Sequence, residues 1–348
     1  MKTFRISVFF AFLLGLCLCV PACDTPGSGG EIIIPGPGSD DDTSSGDTGD
    51  DGNTGGGETD AIRLVFAGDT MMDRKVKKSV DNNADGDYRF LFEYTADYLS
   101  GADIAFTNLE SVISDAGYAQ VYFEIAFEAD PASVDGLTCA GIDVVSVANN
   151  HAFDYTRTAF KDCLERLTAA GITYIGGGVF EEAYAPKVFD VKGTKIAYLA
   201  FTLTGNISES VMAVDEDDPD RAGVAWYYPE YADPAIQRAR SMADIVVVSV
   251  HFGEEYETVQ NEEQIEVAEH LVDQGATLVV GHHPHVVQPL ASYGGGHIAY
   301  SLGNFIFDQS DETTHRGMVL EVTVRDKMIE SAVDRYININ DYYQPVME

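Results

Sequence analysis

The chain has 348 residues and 45% hydrophobic content, enough apolar material for a sizeable core, so global disorder is excluded. Its 57 acidic and 21 basic side chains leave a formal charge of −36, which excludes nucleic acid and obliges any anionic substrate to meet a local positive site or a bridging cation. Beyond the first 22 residues no apolar run is long enough for a bilayer-crossing helix, which excludes a multispan helical membrane protein.

Lys2 and Arg5 precede the apolar stretch Ile6 to Val20, and Pro21, Ala22 and Cys23 follow it; residues 1–22 read as an export signal. A small residue before a cysteine at this place resembles a bacterial lipobox, with Pro21 an unusual member. The resemblance implies cleavage before Cys23, membrane attachment through an N-terminal lipid and a globular domain outside the cytoplasm. Ordinary secretion without the lipid is the alternative. The next stretch, 23–60, reads as a tether. Residues 24–60 hold eleven glycines, ten acidic residues and no basic one, too little apolar surface to offset the entropy of ordering. Asp40, Asp41, Asp42, Asp47, Asp50 and Asp51 lack the spacing of an EF-hand loop.

Residues 61–348 keep 19 basic and 47 acidic side chains, a formal charge of −28, so the acidity belongs to the domain as well. The reading places a domain at 61–325 and an extension at 326–348 that packs on it or continues it. Cys139 and Cys163 are expected as two buried thiols, with a disulfide between them as the alternative.

In chain order, Ile62 to Ala67 is a β-rich run closed by Gly68 and Asp69, and Ile104 to Thr107 leads to Asn108 and Glu110. Val144 to Ala148 ends at Asn149, Asn150 and His151, then passes Asp154 into a helical periodicity over Thr158 to Ala170. Gly176, Gly177 and Gly178 suit a turn where backbone approaches another element closely. Lys187 to Val191 and Lys195 to Phe201 flank a turn at Gly193. The run Asp215, Glu216, Asp217, Asp218 and Asp220 reads as a solvated insertion that could restrict access to the site. Strands at Ile245 to Val250 and Thr277 to Val280 enclose a helix over Gln260 to Asp273. The alternation predicts a layered α/β domain with its chemistry beyond the carboxyl ends of the strands.

His151, His251, His282, His283 and His285 follow such strand ends, whereas His270, His297 and His315 lack a comparable cluster. His283 and His285 are expected to project to one side of an extended backbone. Together with Asp69, Glu110 and Asn150 the imidazoles compose a mixed oxygen and nitrogen shell suited to zinc, manganese or iron. Glu110 is the candidate bridge between two ions, because a carboxylate has two acceptor oxygens and offsets adjacent positive charge. A hydrogen-bonded polar cleft without metal is the alternative.

The segments LVFAGDTMMDR, FTNLES, VVSVANNHAFDY, VVSVHFGEEY, VVGHHPHVVQP and YSLGNFIFDQ, in this order over roughly 61–325, resemble the poly-gamma-glutamate capsule biosynthesis (CapA) family. That family looks like a branch of the calcineurin-like metallophosphatases, which implies a four-layer α/β/β/α sandwich holding one or two divalent ions. By the resemblance, Asp69, Glu110, Asn150, His251, His283 and His285 are the metal ligands. His151 is a general acid or phosphate-stabilising residue, and Asp154 either orients it or starts the following helix. Arg74, Tyr256, His282, Asn304 and Arg316 are the candidate substrate contacts. Met71 stands where the wider superfamily carries a histidine, with Asp73 as the candidate replacement.

Three functional readings follow. The first is metal-assisted hydrolysis of a phosphorylated ester. The second is an accessory role in making, exporting or retaining an anionic polymer, with capsule-biosynthesis membrane proteins as partners. The third is an envelope scaffold without catalysis.

Overall fold

The computed structural model describes residues 61–120, 125–204, 212–213, 218 and 221–348, with the backbone of the strand Ile33–Pro35. The export signal, Cys23 and the rest of the tether lie outside the described residues, as do Asp215, Glu216, Asp217 and Asp220. Among the described residues no helix is long and apolar enough to cross a membrane.

Two principal sheets organise a mixed α/β fold. The first runs in the order Ile33–Pro35, Met328–Ile339, Arg316–Arg325, Ile62–Thr70, Ile104–Leu109, Val144–Ser146 and Thr173–Ile175. Asn304–Ile306 adds to Ile62–Thr70, and Pro345–Met347 adds to Met328–Ile339. The second sheet runs Leu290–Tyr293, Gly296–Ala299, Leu278–His282, Ile245–His251, Thr194–Thr202 and Lys187–Val191. Each contains a run of four neighbouring parallel strands, reaching one edge of the first sheet, where Asn304–Ile306 adds a fifth, and lying inside the second. Parallel strands covered on both faces need nearly continuous apolar sequence, and LVFA, IAF, VVVSV and LVV supply it.

Alternation along the strands sorts these residues into three apolar clusters. Leu64, Phe66 and Phe106 of the first sheet share a cluster with Ile196, Tyr198, Val247 and Val280 of the second. Within it the Phe66 and Tyr198 rings lie 6.3 Å apart, and the Phe106 and Tyr198 rings stack at 6.5 Å. The opposite face of the first sheet sends Val65, Ala105 and Val145 against Val76, Phe160 and Leu167 of the helices Arg74–Ala84 and Thr156–Ala169. In the second sheet Leu199, Val246 and Val248 meet Ala235, Ile236 and Leu271 of Pro229–Met242 and Glu262–Gln274. The last helix starts with a reciprocal cap between Asn261 and Gln264.

The register brings polar residues to one edge. Asp69 pairs with Asn108 on one side and Asn304 on the other, while His251 pairs with both Thr202 and His282. Two glycine approaches make this possible. A Cβ on Gly68 would sit 2.0 Å from the Gly303 carbonyl, where Asp69 N donates to Gly303 O at 2.9 Å. Gly176, at φ +78°, would place a Cβ 2.6 Å from that of Ala148 and 2.9 Å from that of Ala200, so the expected close approach occurs between the sheets.

The boundary expected at 325 falls between two paired strands, Arg316–Arg325 and Met328–Ile339, and residues 328–339 continue the first sheet. The expected pair of buried thiols is corrected at Cys139, which is exposed at the end of the helix Ser133–Cys139; Cys163 is buried, and both are free.

Gly68→Ala is expected to lower stability by about 1–3 kcal/mol, the overpacking range, because the opposing atom is backbone and neither strand can yield alone. Urea denaturation measures it, and a loss below about 0.5 kcal/mol, the scale of an ordinary surface change, would contradict so close a contact.

Candidate metal centre

Asp69 ends the Ile62–Thr70 strand and Glu110 follows the Ile104–Leu109 strand; both are fully buried. Asp69 Oδ1 accepts from Asn108 Nδ2 at 2.9 Å and lies 3.1 Å from His282 Nδ1. Its other oxygen accepts from the His283 backbone N–H at 3.3 Å and lies 3.4 Å from His285 Nδ1. Glu110 Oε2 accepts from Asn108 Nδ2 at 3.2 Å, whereas Oε1 is buried with no hydrogen-bond partner, 3.6 Å from His285 Nε2 and 4.0 Å from His151 Nε2.

The imidazoles converge by a different route from the one expected. The strand stops at His282, and His283 and His285 then take left-handed backbone, φ +98° and +60°, around Pro284. The turn, not the alternation of an extended strand, brings their rings to 5.9 Å from each other and the His251 and His283 rings to 4.9 Å. His251 Nε2 lies 2.8 Å from Asn150 Oδ1.

Among the described residues two groups of side chains hold ligand atoms within 4.8 Å of one another: Asp69 with Glu110 and His285, and Glu255 with His283 and His285. His285 belongs to both. Asn150 and His251 form a pair beside them, so the six expected ligands gather at one edge without forming one equidistant shell. Glu255 was absent from the expected set. Its signal is the acidic pair in HFGEEY just past a strand-ending histidine, a spacing that resembles an ordinary solvated loop.

The other expected site residues separate. His151 Nδ1 lies 2.6 Å from Asp154 Oδ2, which also accepts from Phe127 N at 2.8 Å, and the His151 ring packs 4.0 Å from that of Phe127. Asp154 therefore orients the imidazole; the helix that follows begins at Thr156, capped without a side-chain bond. Arg74 and Tyr256 line a cleft of about 360 Å³ with Lys75, Asp308, Gln309, Ser310 and Asp311. Arg74 pairs with buried Asp308 and lies over the Phe127 ring.

Three of the expected substrate contacts lie outside the lining of this cleft. His282 is fully buried against Asp69 and cannot reach the cleft. The buried Asn304 amide is committed inward, with Oδ1 2.9 Å from His285 Nδ1 and Nδ2 donating to Gln309 Oε1 and Thr314 O. Arg316 is exposed and engaged by two bonds to Glu348. Asp73, the expected stand-in for a histidine at position 71, is engaged elsewhere. Its Oδ2 accepts from Glu128 N at 2.9 Å, and buried Met71 joins the apolar cluster of the first sheet.

Burial opposes ionisation of Asp69, but the hydrogen bonds and charges of His282 and His285 outweigh it and hold the carboxyl well below its usual range. Glu110 goes the other way, raised well above that range by burial and then by the Asp69 charge. Burial also lowers His251 and brings His283 down to about 3, so both present neutral nitrogens. An orphaned buried carboxylate oxygen 3.6 Å from an imidazole nitrogen fits a divalent cation, which would satisfy the oxygen and offset the repulsion together.

Residues 63–309 match the family described as bacterial capsule synthesis protein PGA_cap. The chain is 35% identical over 254 residues to the PGA biosynthesis protein CapA of Bacillus subtilis (strain 168), covering 72% of this chain and 64% of that protein. It is 32% identical over 277 residues to the capsule biosynthesis protein CapA of Bacillus anthracis, covering 77% and 65%. Both matches thus span slightly less than two thirds of the relative's length. A solved hypothetical protein from Thermus thermophilus aligns with a TM-score of 0.48 at 16% identity, over 79% of this chain and 98% of that one.

Burial and the Asp69 charge favour a proton on Glu110, and an ion bound there would compete with it, so binding is expected to release a proton. Affinity for Mn(II) should rise about tenfold per pH unit up to the raised Glu110 pKa and level off above it, with His251 and His283 already neutral and contributing nothing to the slope. Titration calorimetry in buffers of different ionisation enthalpy, below the pH at which affinity levels off, counts the proton; a count of zero there would contradict this charge assignment.

Proposed function

The chain belongs to the bacterial capsule synthesis protein family, and from that premise we propose a lipid-anchored, extracytoplasmic envelope metalloprotein that serves the synthesis, export or retention of an anionic polymer such as poly-gamma-glutamate. Its chemistry in this reading is metal-dependent hydrolysis of a phosphoester. The three apolar clusters support the finer fold assignment, a four-layer α/β/β/α metallophosphatase-like sandwich. The observation that carries the chemistry is the unpartnered Glu110 oxygen, with His285 on one side and the His151–Asp154 pair on the other.

Asp69, Glu110 and His285 would hold one divalent ion, and Glu255, His283 and His285 lie where they would hold or share a second. Bound there, such an ion, manganese, zinc or iron by its donor set, supplies Lewis-acid polarisation and a water of lowered pKa. The chain's own residues do the rest. Asp154 holds the proton of His151 on Nδ1, so Nε2, on the Glu110 side, would give a proton to a leaving oxygen from the imidazolium form, which returns to the neutral Nδ1–H tautomer. Phe127 packs against that ring and limits its rotation. Arg74 and Tyr256 lie at the cleft where a substrate anion would approach.

Met71 supports a second reading, an accessory protein that holds an anionic polymer through bridging cations without turnover. No imidazole occupies its position, and the buried thioether is turned to the apolar core.

Metal-loaded protein is expected to hydrolyse members of a phosphoester panel, and His151→Ala to lower kcat by about 10²–10⁴ with metal content unchanged. Equal rates in the two proteins would remove His151 from the chemistry. A panel without turnover, together with polymer binding abolished by a chelator, would transfer the assignment to the accessory role.

A further inference from the structure

Each of two motifs at the centre begins with an asparagine that no ligand role uses: Asn108 in NLE and Asn149 in NNH. Both are fully buried. We propose that Asn108 and Asn149 form an amide relay that decides which oxygen of Asp69 and which oxygen of Glu110 is left to take an ion. The proposal rests on the metal reading of the same site and assigns two positioning residues to it.

The relay begins on backbone groups whose roles cannot change. Asn149 Oδ1 accepts from the His151 N–H at 3.1 Å, and Asn149 Nδ2 donates to the Leu109 carbonyl at 2.8 Å. Turning the Asn149 amide over would set its NH₂ against an N–H and its oxygen against a carbonyl, so its orientation is fixed. Asn149 Nδ2 then also donates to Asn108 Oδ1 at 3.2 Å. That contact makes Asn108 Oδ1 the acceptor and turns the Asn108 NH₂ toward the carboxylates.

One NH₂ group thereby spans both acids, at 2.9 Å from Asp69 Oδ1 and 3.2 Å from Glu110 Oε2. A second donor, His282 Nδ1, lies 3.1 Å from the same Asp69 oxygen. The other two oxygens face His285: Asp69 Oδ2, which accepts only the backbone N–H of His283 at 3.3 Å, lies 3.4 Å from it, and the unpartnered Glu110 Oε1 lies 3.6 Å from it. A carboxylate free to rotate would present either oxygen; the relay selects one from each. It also links the backbone of His151 to the orientation of both acids through two side chains.

The test is Mn(II) titration of the full chain, followed by electron paramagnetic resonance. Asn108→Ala is expected to bind Mn(II) about 10–100-fold more weakly than wild type, the usual effect of losing a group that orients a ligand, and to change the line shape of the bound ion. Asn149→Ala, which leaves Asn108 in place but free to flip, should give a smaller loss in the same direction. A purely structural role would lower the melting temperature without changing affinity or line shape, and that result in folded Asn108→Ala overturns the relay. If Asn108→Ala does not fold, Asn149→Ala and Asn108→Ser decide by the same criteria. Wild-type protein that takes up no more Mn(II) than Glu110→Ala overturns the site reading and the relay with it.

Discussion

Two carboxylates enclosed beside one imidazole set the terms for this molecule. At the 4.8 Å that bounds the ligand atoms of Asp69, Glu110 and His285, two like charges repel by on the order of 3 kcal/mol at an effective dielectric of about 20. Burial adds to that cost. The imidazoles of His282 and His285 outweigh burial and hold Asp69 well below its usual range, and the remaining penalty falls on Glu110, whose Oε1 has no partner. A cation in that position would remove the repulsion and satisfy the oxygen, whereas a packing rearrangement could do at most one of these.

The fold delivers these groups by aligning the carboxyl ends of two parallel strand runs at one edge. Apolar alternation locks each strand's register, since a slip of one residue would move Phe66 out of the layer between the sheets and Asp69 away from Asn108. Glycines then permit approaches that side chains would forbid, at Gly68 against Gly303 and at Gly281 against Tyr300 O. The last adjustment is local: left-handed backbone at His283 and His285 carries strain of about 1–3 kcal/mol at each residue. The Tyr256 N–H to Pro284 O bond and the Asn304 contact to His285 hold that turn from either side.

What could be read in the sequence follows from this division. The strands at 62, 104, 144, 194, 245 and 278 were legible because buried parallel strands leave a continuous apolar signature, and their ends were legible because polar residues stop it abruptly. Asn304 and His282 were read as facing substrate because residue type reveals chemistry but not the direction of a side chain; direction depends on a register set by partners hundreds of residues away. Glu255 was overlooked because an acidic pair in a loop looks the same whether it is solvated or turned toward two histidines. The strands 316–325 and 328–339 pair over their full length, yet their alternating polar positions broke the apolar run that marked the inner strands.

Charge also bears on how an acidic domain could receive an anion. Arg74 is paired with Asp308, and the cleft that holds them also carries Asp311, so side chains alone give an incoming anion little net attraction. Asp69, Glu110 and Glu255 bring up to three negative charges to the two ligand groups. One divalent ion would leave that set negative when all three acids are ionised; two would make it positive. Attraction for a phosphoryl or carboxylate group would then depend on filling both groups, with His285 common to the two. The excess of acid elsewhere on the domain would keep anions from settling at other places, so the same composition would concentrate anion binding at the metal edge.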